Sequence, residues 1–309
     1  MSVKISKLIY TLGLICLAQV GFAQDDLLSS IDNGDKPKEY IKNAFKSSRV
    51  INGHSIEFIG KGVLDVRILH RFGLLNSGFS NLYGLDQATM RFGFDYGVLN
   101  NLTVGIGRST FDKEWDAFVK YRPIQQSTGG SRPSPVSVVL VSGMTASTTP
   151  GIYPERNYYT NKLAYYHEII VGRKFNEKFS AQLSSTLVHL NIVPLSTDPN
   201  NIYALGLGAR YKLSKRTAFV VDYHYILRNL GENEENNNTA GSLFSTMKNP
   251  LSIGFDIETG GHVFQLHFSN CSGMNEKAFI TKTTSRWGKG EIRFGFNLSR
   301  VFTVSKPKA

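Results

Sequence analysis

The sequence predicts an all-β fold: a closed antiparallel transmembrane β-barrel of about 12 strands, with short periplasmic turns and long extracellular loops. Three observations lead to this prediction. About twelve segments alternate apolar and polar residues with the period of two that is typical of strands. The connections between these segments alternate in length. Beyond the N-terminus no apolar run approaches the roughly 18 residues of a spanning helix, so insertion into a membrane requires a closed barrel.

The first 23 residues have the pattern of a secretory signal peptide. Lys4 and Lys7 precede an apolar stretch from residue 8 to 20, and cleavage is expected after Ala23. An uncleaved membrane anchor is the alternative interpretation. Cleavage removes Cys16 and leaves Cys271 as the single cysteine, so the mature chain forms no internal disulfide. The signal predicts export to the bacterial outer membrane.

The alternating segments have lengths that suit a tilted barrel wall of roughly 9 to 11 residues per strand. A Gly-Gly turn after Thr259 joins two of them in the clearest hairpin of the chain. The predicted strands span residues 55–72, 86–98, 102–109, 114–122, 136–145, 161–174, 179–191, 202–213, 217–227, 251–258, 262–269 and 290–302.

With an even number of strands, the N-terminus and the C-terminus of the barrel both lie on the side of the short turns, which is the periplasmic side. The chain is therefore divided into a signal peptide (1–23), a polar periplasmic segment (24–53), the β-barrel (54–303) and a C-terminal tail (304–309).

Each predicted strand has one apolar, aromatic face and one face of small or charged residues. Phe92 and Phe94 exemplify the first face, which is expected to contact lipid. Mixed charges on the second face either pair across the lumen and stiffen the wall or line a solute path or pocket. A soluble β-sandwich, whose strands also alternate, is the alternative fold. The lumen-facing candidates for binding are Arg67, Arg91, Asp95, Asp116, Lys120, Arg210, Asp222, His224, Glu291 and Arg293.

The formal net charge of the whole chain is +11. Nucleic acid is a poor partner for an exported protein, so the excess of Lys and Arg indicates contact with outer-membrane lipid or with a small polar or anionic solute. Periplasmic proteins that bind residues 24–53 are a further expected class of partner.

Motifs of known enzyme classes are missing from the sequence: it has no G-x-S-x-G, no H-E-x-x-H and no phosphate-binding glycine loop. Neither a cofactor nor a metal site is predicted, because the histidines are scattered singly. His167 and His189, with Ser185, fall on lipid-facing positions, which leaves a membrane-embedded lipid hydrolase as an alternative. The prediction is that the chain is not an enzyme.

Several motifs resemble an uncharacterised family of outer-membrane β-barrel proteins from Gram-negative bacteria. They are residues 70–73 (HRFG), 84–86 (GLD), 105–109 (GIGRS), 257–270 (IETGGHVFQLHFSN), 274–281 (MNEKAFIT) and 292–302 (IRFGFNLSRVF). The resemblance implies a barrel in the outer membrane and implies no reaction, ligand or catalytic residue. One departure from barrels in general is that Phe302 is followed by residues 303–309, whereas many barrels end on an aromatic residue.

The leading functional hypothesis is passive passage or binding of a small solute through a polar lumen of mixed charge. The alternatives are a closed structural or assembly barrel, which docks periplasmic partners through residues 24–53, and the lipid hydrolase.

Overall fold

The computed structural model describes residues 37–149, 158–228 and 241–305. The predicted signal peptide, residues 24–36 of the predicted periplasmic segment and the end of the C-terminal tail lie outside these ranges. The chain divides into a main unit, residues 40–128 and 133–309, and a small unit that includes residues 129–132. The main unit contains the barrel and all the contacts described below.

The described residues contain fourteen strands, two of them only two residues long. Their alternating patterns correspond closely to the predicted segments. The strands are β1 (Glu39–Tyr40), β2 (Val63–Leu74), β3 (Ala88–Leu99), β4 (Leu102–Ser109), β5 (Glu114–Ile124), β6 (Ser127–Thr128), β7 (Ser137–Ser147), β8 (Leu163–Lys174), β9 (Phe179–Leu190), β10 (Asn201–Lys212), β11 (Thr217–Leu227), β12 (Leu251–Thr259), β13 (His262–Ser269) and β14 (Arg293–Thr303).

All the strands except β1 and β6 form one closed barrel in chain order, and within the described ranges this makes twelve wall strands. Every neighbouring pair is antiparallel, and β14 pairs with β2 to close the wall. Closure leaves no strand edge with unpaired backbone groups, which is what a membrane requires of a sheet. The prediction of a closed antiparallel barrel of about twelve strands is confirmed.

The register of the β12–β13 hairpin puts alternate residues on opposite sides of the wall. Asp256 pairs with Gln265, and both are buried inside. Phe255 and Phe268 point outward and are 44% and 47% exposed. Large apolar side chains that remain exposed around a closed wall form a surface suited to lipid. The division into a lipid face and a lumen face therefore follows the alternation in the sequence.

Connections at one end of the barrel, here called the short-turn end, are mostly tight. The other, long-loop end has longer connections, apart from residues 110–113. The described parts of those longer loops include two short α-helices, α1 (Leu243–Thr246) and α2 (Glu276–Thr281). The loop of residues 270–292, which contains α2, is called the outer loop below. Short 3-10 helices span Leu75–Ser77, Phe79–Gly84, Phe111–Lys113, Tyr159–Lys162 and Trp287–Lys289.

Two predicted boundaries are wrong. The first wall strand begins at Val63, so the predicted segment 55–72 and the predicted barrel start at residue 54 include residues that are not in the wall. Gly62, at φ 75°, interrupts the extended conformation there, and its N–H donates to the Gly97 carbonyl of β3. At the other end of the chain, β14 begins at Arg293 and not at residue 290.

Candidate functional site

The lumen of the barrel is filled by residues 44–59, here called the plug segment. Its side chains are almost all buried, with Phe45 and Arg49 each 1% exposed. The segment turns back on itself: the Val50 N–H donates to the Gly53 carbonyl, and Arg49 forms an isolated bridge with His54. The prediction that residues up to 53 form a periplasmic segment is therefore wrong for residues 44–53, which lie inside the barrel.

Contacts with inward-facing side chains from around the whole wall establish this position. Arg67 Nη1 of β2 donates to the hydroxyls of Ser47 and Ser48, at 2.8 Å each. Lys120 Nζ of β5 donates to the carbonyls of Ser48 and Glu57, at 3.0 and 2.7 Å. Further contacts come from β9, β11, β12, β13 and β14, so the plug segment is enclosed by the wall.

Asp222 of β11 binds the tip of the plug segment. One of its carboxylate oxygens accepts from the backbone N–H groups of Ile51, Asn52 and Gly53, at 3.2, 2.7 and 3.0 Å. The other oxygen lies 3.0 Å from Nε2 of His224. A carboxylate that receives several N–H groups is a strong, charge-assisted acceptor.

Three amide side chains of the wall also bind the plug backbone. Gln265 donates to the Val50 carbonyl at 2.6 Å, and Asn297 donates to the Ile51 carbonyl at 2.9 Å. Gln182 makes two bonds: it donates to the His54 carbonyl at 2.6 Å and accepts from the Ile56 N–H at 2.9 Å. These contacts satisfy backbone groups that would otherwise be buried without partners.

The outer loop fills the lumen from the long-loop end. Asn275 caps the N-terminus of helix α2: its side chain accepts from the Ala278 N–H at 2.8 Å. Lys277 forms an ion pair with Glu114 of β5, and the Asn275 amide donates to the same carboxylate. All six helix residues are buried.

The plug segment and the outer loop meet at Glu276. Its carboxylate lies 2.7 Å from Arg49 Nη1 and 3.4 Å from His54 Nε2. Burial, with Arg49 and Lys120 nearby, holds the pKa of His54 well below its usual value, so His54 is neutral at pH 7. Cys271 is fully buried beside the plug, 3.4 Å from Nδ2 of Asn52.

Around this contact the lumen is apolar toward the long-loop end. The outer loop contributes Phe279 and Ile280, and the plug contributes Phe45, Val50 and Ile56, to one cluster of buried side chains. Wall residues of β5 and of β7 to β11 belong to it, among them Phe118, Val139, Ala164, Tyr166, Val188, Leu190, Ile202, Ala204 and Ile226. Most of the buried charged side chains of the wall, in contrast, lie on β2 to β5.

The charged part of the wall pairs internally. Arg91 and Asp116 form two hydrogen bonds, one of them 2.8 Å from Nε to Oδ1. Gly107 of β4 leaves the space for this guanidinium, because a Cβ there would clash with Arg91. Asp95 accepts from the Ser48 hydroxyl at 3.4 Å, so charged wall residues contact the plug as well as each other.

Nine of the ten predicted lumen residues lie on the inner face of a strand, and Glu291 does not. Glu291 precedes β14 and accepts from the Arg286 N–H at 2.6 Å, so its prediction as a wall residue is wrong. Arg293 is half-buried at the first position of β14. Arg210 lies 3.9 Å from Asp256. The remaining seven are buried: Arg67, Arg91, Asp95, Asp116, Lys120, Asp222 and His224.

Sequence reasoning missed the residues that close the lumen, above all Arg49, Asn52 and Glu276. The plug segment has the alternation of a strand near residues 55–59, which concealed its role. A signal was present for Glu276, since it lies in the MNEKAFIT motif, but the motif was interpreted as family resemblance only.

Within the described part of the chain, a cavity lies at each end of the plugged lumen. A cavity of ≈ 180 Å³ at the long-loop end is bordered by Lys162, Lys277 and Lys282. One of ≈ 200 Å³ at the short-turn end is bordered by Lys46, Asp65 and Glu258, among others.

The residues proposed for a lipid hydrolase do not form a triad. His167 Nδ1 lies 3.0 Å from the Ser142 hydroxyl on the outer face, and His189 Nδ1 lies 2.7 Å from Oδ1 of Asn201. These are two separate pairs, and no contact joins Ser185 to either histidine among the described hydrogen bonds. The described ranges also contain no cluster of His, Cys, Asp and Glu suited to a metal ion and no helix long and apolar enough to cross a membrane.

The fold and its filled interior define a plugged membrane β-barrel. The chain belongs to the family described as "Membrane bound beta barrel domain (DUF5777)", whose model matches residues 45–302. That match covers the plug segment as well as the wall. The predicted resemblance to an uncharacterised barrel family is thus confirmed.

Comparison with curated proteins finds no match. Among solved structures, the chain is similar to the NanC porin, at 10% identity and a TM-score of 0.47, over 77% of this chain and 98% of that one. It is also similar to the KdgM porin, at 9% identity and a TM-score of 0.45, over 78% and 99%. An outer-membrane channel from Pseudomonas putida F1 matches at 11% identity and a TM-score of 0.45, over 79% and 97%.

Proposed function

We propose that this chain is an outer-membrane barrel for the passage of a small polar solute, closed at rest by the plug segment and the outer loop. The observation that carries the proposal is the nature of the closure. The wall alone has a polar lining over β2 to β5, and what fills it is not part of the wall. The plug segment leads into β2 through residues 60–62, which include two glycines, and on its other side the Ile41 N–H donates to the Gln126 carbonyl at 2.9 Å.

The bonds that hold the plug favour a removable closure. Its polar contacts with Arg67, Lys120 and Asp222 can be exchanged for contacts with water in a hydrated lumen. Because water replaces such bonds, each neutral hydrogen bond contributes only about 0.5–1.5 kcal/mol net, and those to charged groups about 1.5–3 kcal/mol. Opening these polar contacts is therefore less costly than opening apolar contacts of the same area.

The proposed location and partners follow from the same features. A cleaved signal ending at Ala23 would direct the chain to the outer membrane, with the short-turn end in the periplasm. The exposed aromatic and aliphatic residues would contact lipid. The charged residues of the lumen, Arg67, Arg91 and Lys120 among them, would face the solute once the plug leaves.

A permanently closed structural barrel is the competing function, and one observation favours it. Phe45, Val50 and Ile56 of the plug pack into an apolar cluster with Phe279 and Ile280 of the outer loop, as in an ordinary protein core. If this barrel docks periplasmic partners, residues 44–53 are unsuited to the task, because they are buried in the lumen.

The test combines conductance with the accessibility of the Cys271 thiol. Full-length protein in planar bilayers is compared with Arg49→Ala, which removes the contact to Glu276 and should loosen the plug. Arg173→Ala is the matched control, since Arg173 is exposed on a wall strand. A maleimide should label Cys271 faster in Arg49→Ala, and the same variant should conduct more often. In protein that has lost residues 1–23, and with them Cys16, Cys271→Ser should abolish the labelling.

Each other result counts against the proposal in a defined way. Faster labelling without conductance would mean that the plug moves but opens no path. Unchanged labelling and conductance in Arg49→Ala would mean that the barrel is permanently closed.

A further inference from the structure

We infer that the solute is a short peptide, and that the plug segment occupies a peptide-binding site in the lumen wall. This inference rests on the proposed passage function and names its substrate class. It follows from what the wall binds in the plug: main-chain groups, which every peptide has, receive more of the hydrogen bonds than side chains do.

Asp222 is the clearest case. Three consecutive N–H groups, from Ile51 to Gly53, converge on one of its oxygens at 2.7 to 3.2 Å. A row of N–H donors is a property of a polypeptide backbone and not of a saccharide, whose groups are hydroxyls. Asp222 is 3% exposed and would need another donor if the plug left, because an unpaired buried carboxylate is costly.

The three amide side chains complement Asp222, since they donate to carbonyls. Gln265 and Asn297 bind the carbonyls of Val50 and Ile51, next to the N–H groups that Asp222 binds. Gln182 binds a carbonyl and an N–H two residues apart, from opposite ends of its amide group. An amide side chain that pairs in both directions matches a main chain irrespective of the residues it carries.

Lys120 adds a charged donor to two further carbonyls, those of Ser48 and Glu57. Side chains of the plug are bound as well. Arg67 donates to the hydroxyls of Ser47 and Ser48, and Asn52 donates to Ser252 and accepts from Arg71. Ser48 also donates to Asp95, and Lys46 pairs with Glu258. Five wall residues from β5, β9, β11, β13 and β14 thus bind the plug through its backbone.

The apolar side chains of the plug lie against inward-facing glycines of the wall. A Cβ placed on Gly208 would clash with Val50, and one placed on Gly172 would clash with Ile56. These two glycines therefore leave the width that apolar side chains of this size need.

The alternative explanation is that these bonds only satisfy the plug, since any buried backbone needs partners. The two explanations differ in what happens once the plug is loosened. A wall that evolved only to hold the plug has no preference among solutes of one size. A peptide-binding wall admits peptides faster than other solutes, and its amide side chains determine that preference.

The experiment uses full-length Arg49→Ala protein in liposomes and measures entry of two neutral solutes of equal mass. One is a blocked tetra-alanine peptide and the other is a disaccharide. The peptide should enter about tenfold faster. Gln182→Leu in the same background should lower the peptide-to-disaccharide ratio by about tenfold, because two hydrogen bonds of a few-fold each are lost.

Gln126→Leu is the matched control for Gln182→Leu. Gln126 makes the same pair of backbone bonds, at 3.0 and 2.8 Å, but to Lys174 of the wall and not to the plug. The ratio should stay unchanged in this variant. If Gln182→Leu fails to fold, as judged by loss of heat-modifiable migration, Asn297→Leu replaces it.

The outcomes separate the two proposals. Equal entry of both solutes, or a ratio that Gln182→Leu and Asn297→Leu leave unchanged, overturns the peptide inference and leaves passage intact. Entry of neither solute overturns the passage function itself.

Discussion

The plug segment and the outer loop fill the same lumen from opposite ends, but different interactions attach them. The plug buries Phe45, Val50 and Ile56 and also receives many hydrogen bonds from polar wall residues such as Asp222, Gln182 and Lys120. The outer loop buries Phe279 and Ile280 in the same apolar cluster and forms ion pairs with Glu114 and Asp112. It is also anchored at both ends, by β13 and β14.

This difference indicates which of the two fillers moves first. When a polar contact opens, hydrogen bonds to water recover most of its free energy. Exposing buried apolar surface, in contrast, costs roughly 25 cal/mol per Å². Because hydrogen bonds from the wall make up more of what holds the plug, we expect the plug segment to move before the outer loop. Because Arg49 of the plug pairs with Glu276 of the outer loop, breaking this ion pair should affect both segments.

The largest effect is expected for Glu276→Ala, which leaves Arg49 buried without its partner. Removing one member of a buried pair costs about 3–5 kcal/mol. Urea unfolding in lipid bilayers measures the loss, and limited proteolysis should cut the plug sooner than the loop. The double variant Arg49→Met, Glu276→Leu should recover most of the stability, since apolar replacement of a buried pair is often neutral. A double variant as unstable as the single one would contradict this.

Phe279→Ala should have the next largest effect, about 3 kcal/mol, because it leaves a cavity in the apolar cluster. Here the outer loop, and not the plug, should become the first site of proteolysis. Phe79→Ala is the control, since Phe79 is 76% exposed and its loss should change stability by less than about 0.5 kcal/mol. First cleavage in the plug would mean that the two fillers are not held as differently as their contacts indicate.

The sequence predicted the wall well because period-two alternation acts on every strand in the same way. The span 217–227 was predicted to the residue, and β14 begins only three residues later than expected. What fills the lumen was harder to predict. Ile56 and Phe58 alternate with polar residues as a wall strand does, yet they belong to the plug. Only Gly60 and Gly62 signalled the break between them and the wall.

The sequence predicted which residues face the lumen, but not what most of them contact. Arg91 and Asp116 were both assigned to it, and they do pair with each other. Asp222 was also assigned to it, but its main partners are backbone groups of residues 51–53, more than 160 positions away. No periodicity in one sequence reports such a contact, because a backbone N–H leaves no trace in composition or spacing.

Asp222→Asn should weaken the plug by about 2 kcal/mol, since three bonds to a charged acceptor become bonds to a neutral one. Protease cleavage of the plug should accelerate while the outer loop stays protected. Asp86→Asn is the control, because Asp86 lies exposed in a loop. If the plug is protected from protease equally in Asp222→Asn and in the unchanged protein, Asp222 does not hold the plug in place.

An effect of similar size is a pH dependence carried by His54. Burial lowers the pKa of His54 in the folded protein well below the 6.5 of an exposed histidine, with Arg49 and Lys120 adding to the shift. The unfolded chain therefore binds a proton below pH 6.5 that the folded chain does not, so this part of the stability is complete above pH 6.5 and lost as the pH falls. The slope is about 1.4 kcal/mol per pH unit. His54→Gln removes the titration, and urea unfolding from pH 7 to 5 should then show a shallower decline than the unchanged protein. Identical declines would mean that His54 is not buried as a neutral side chain, and that acid does not loosen the plug through it.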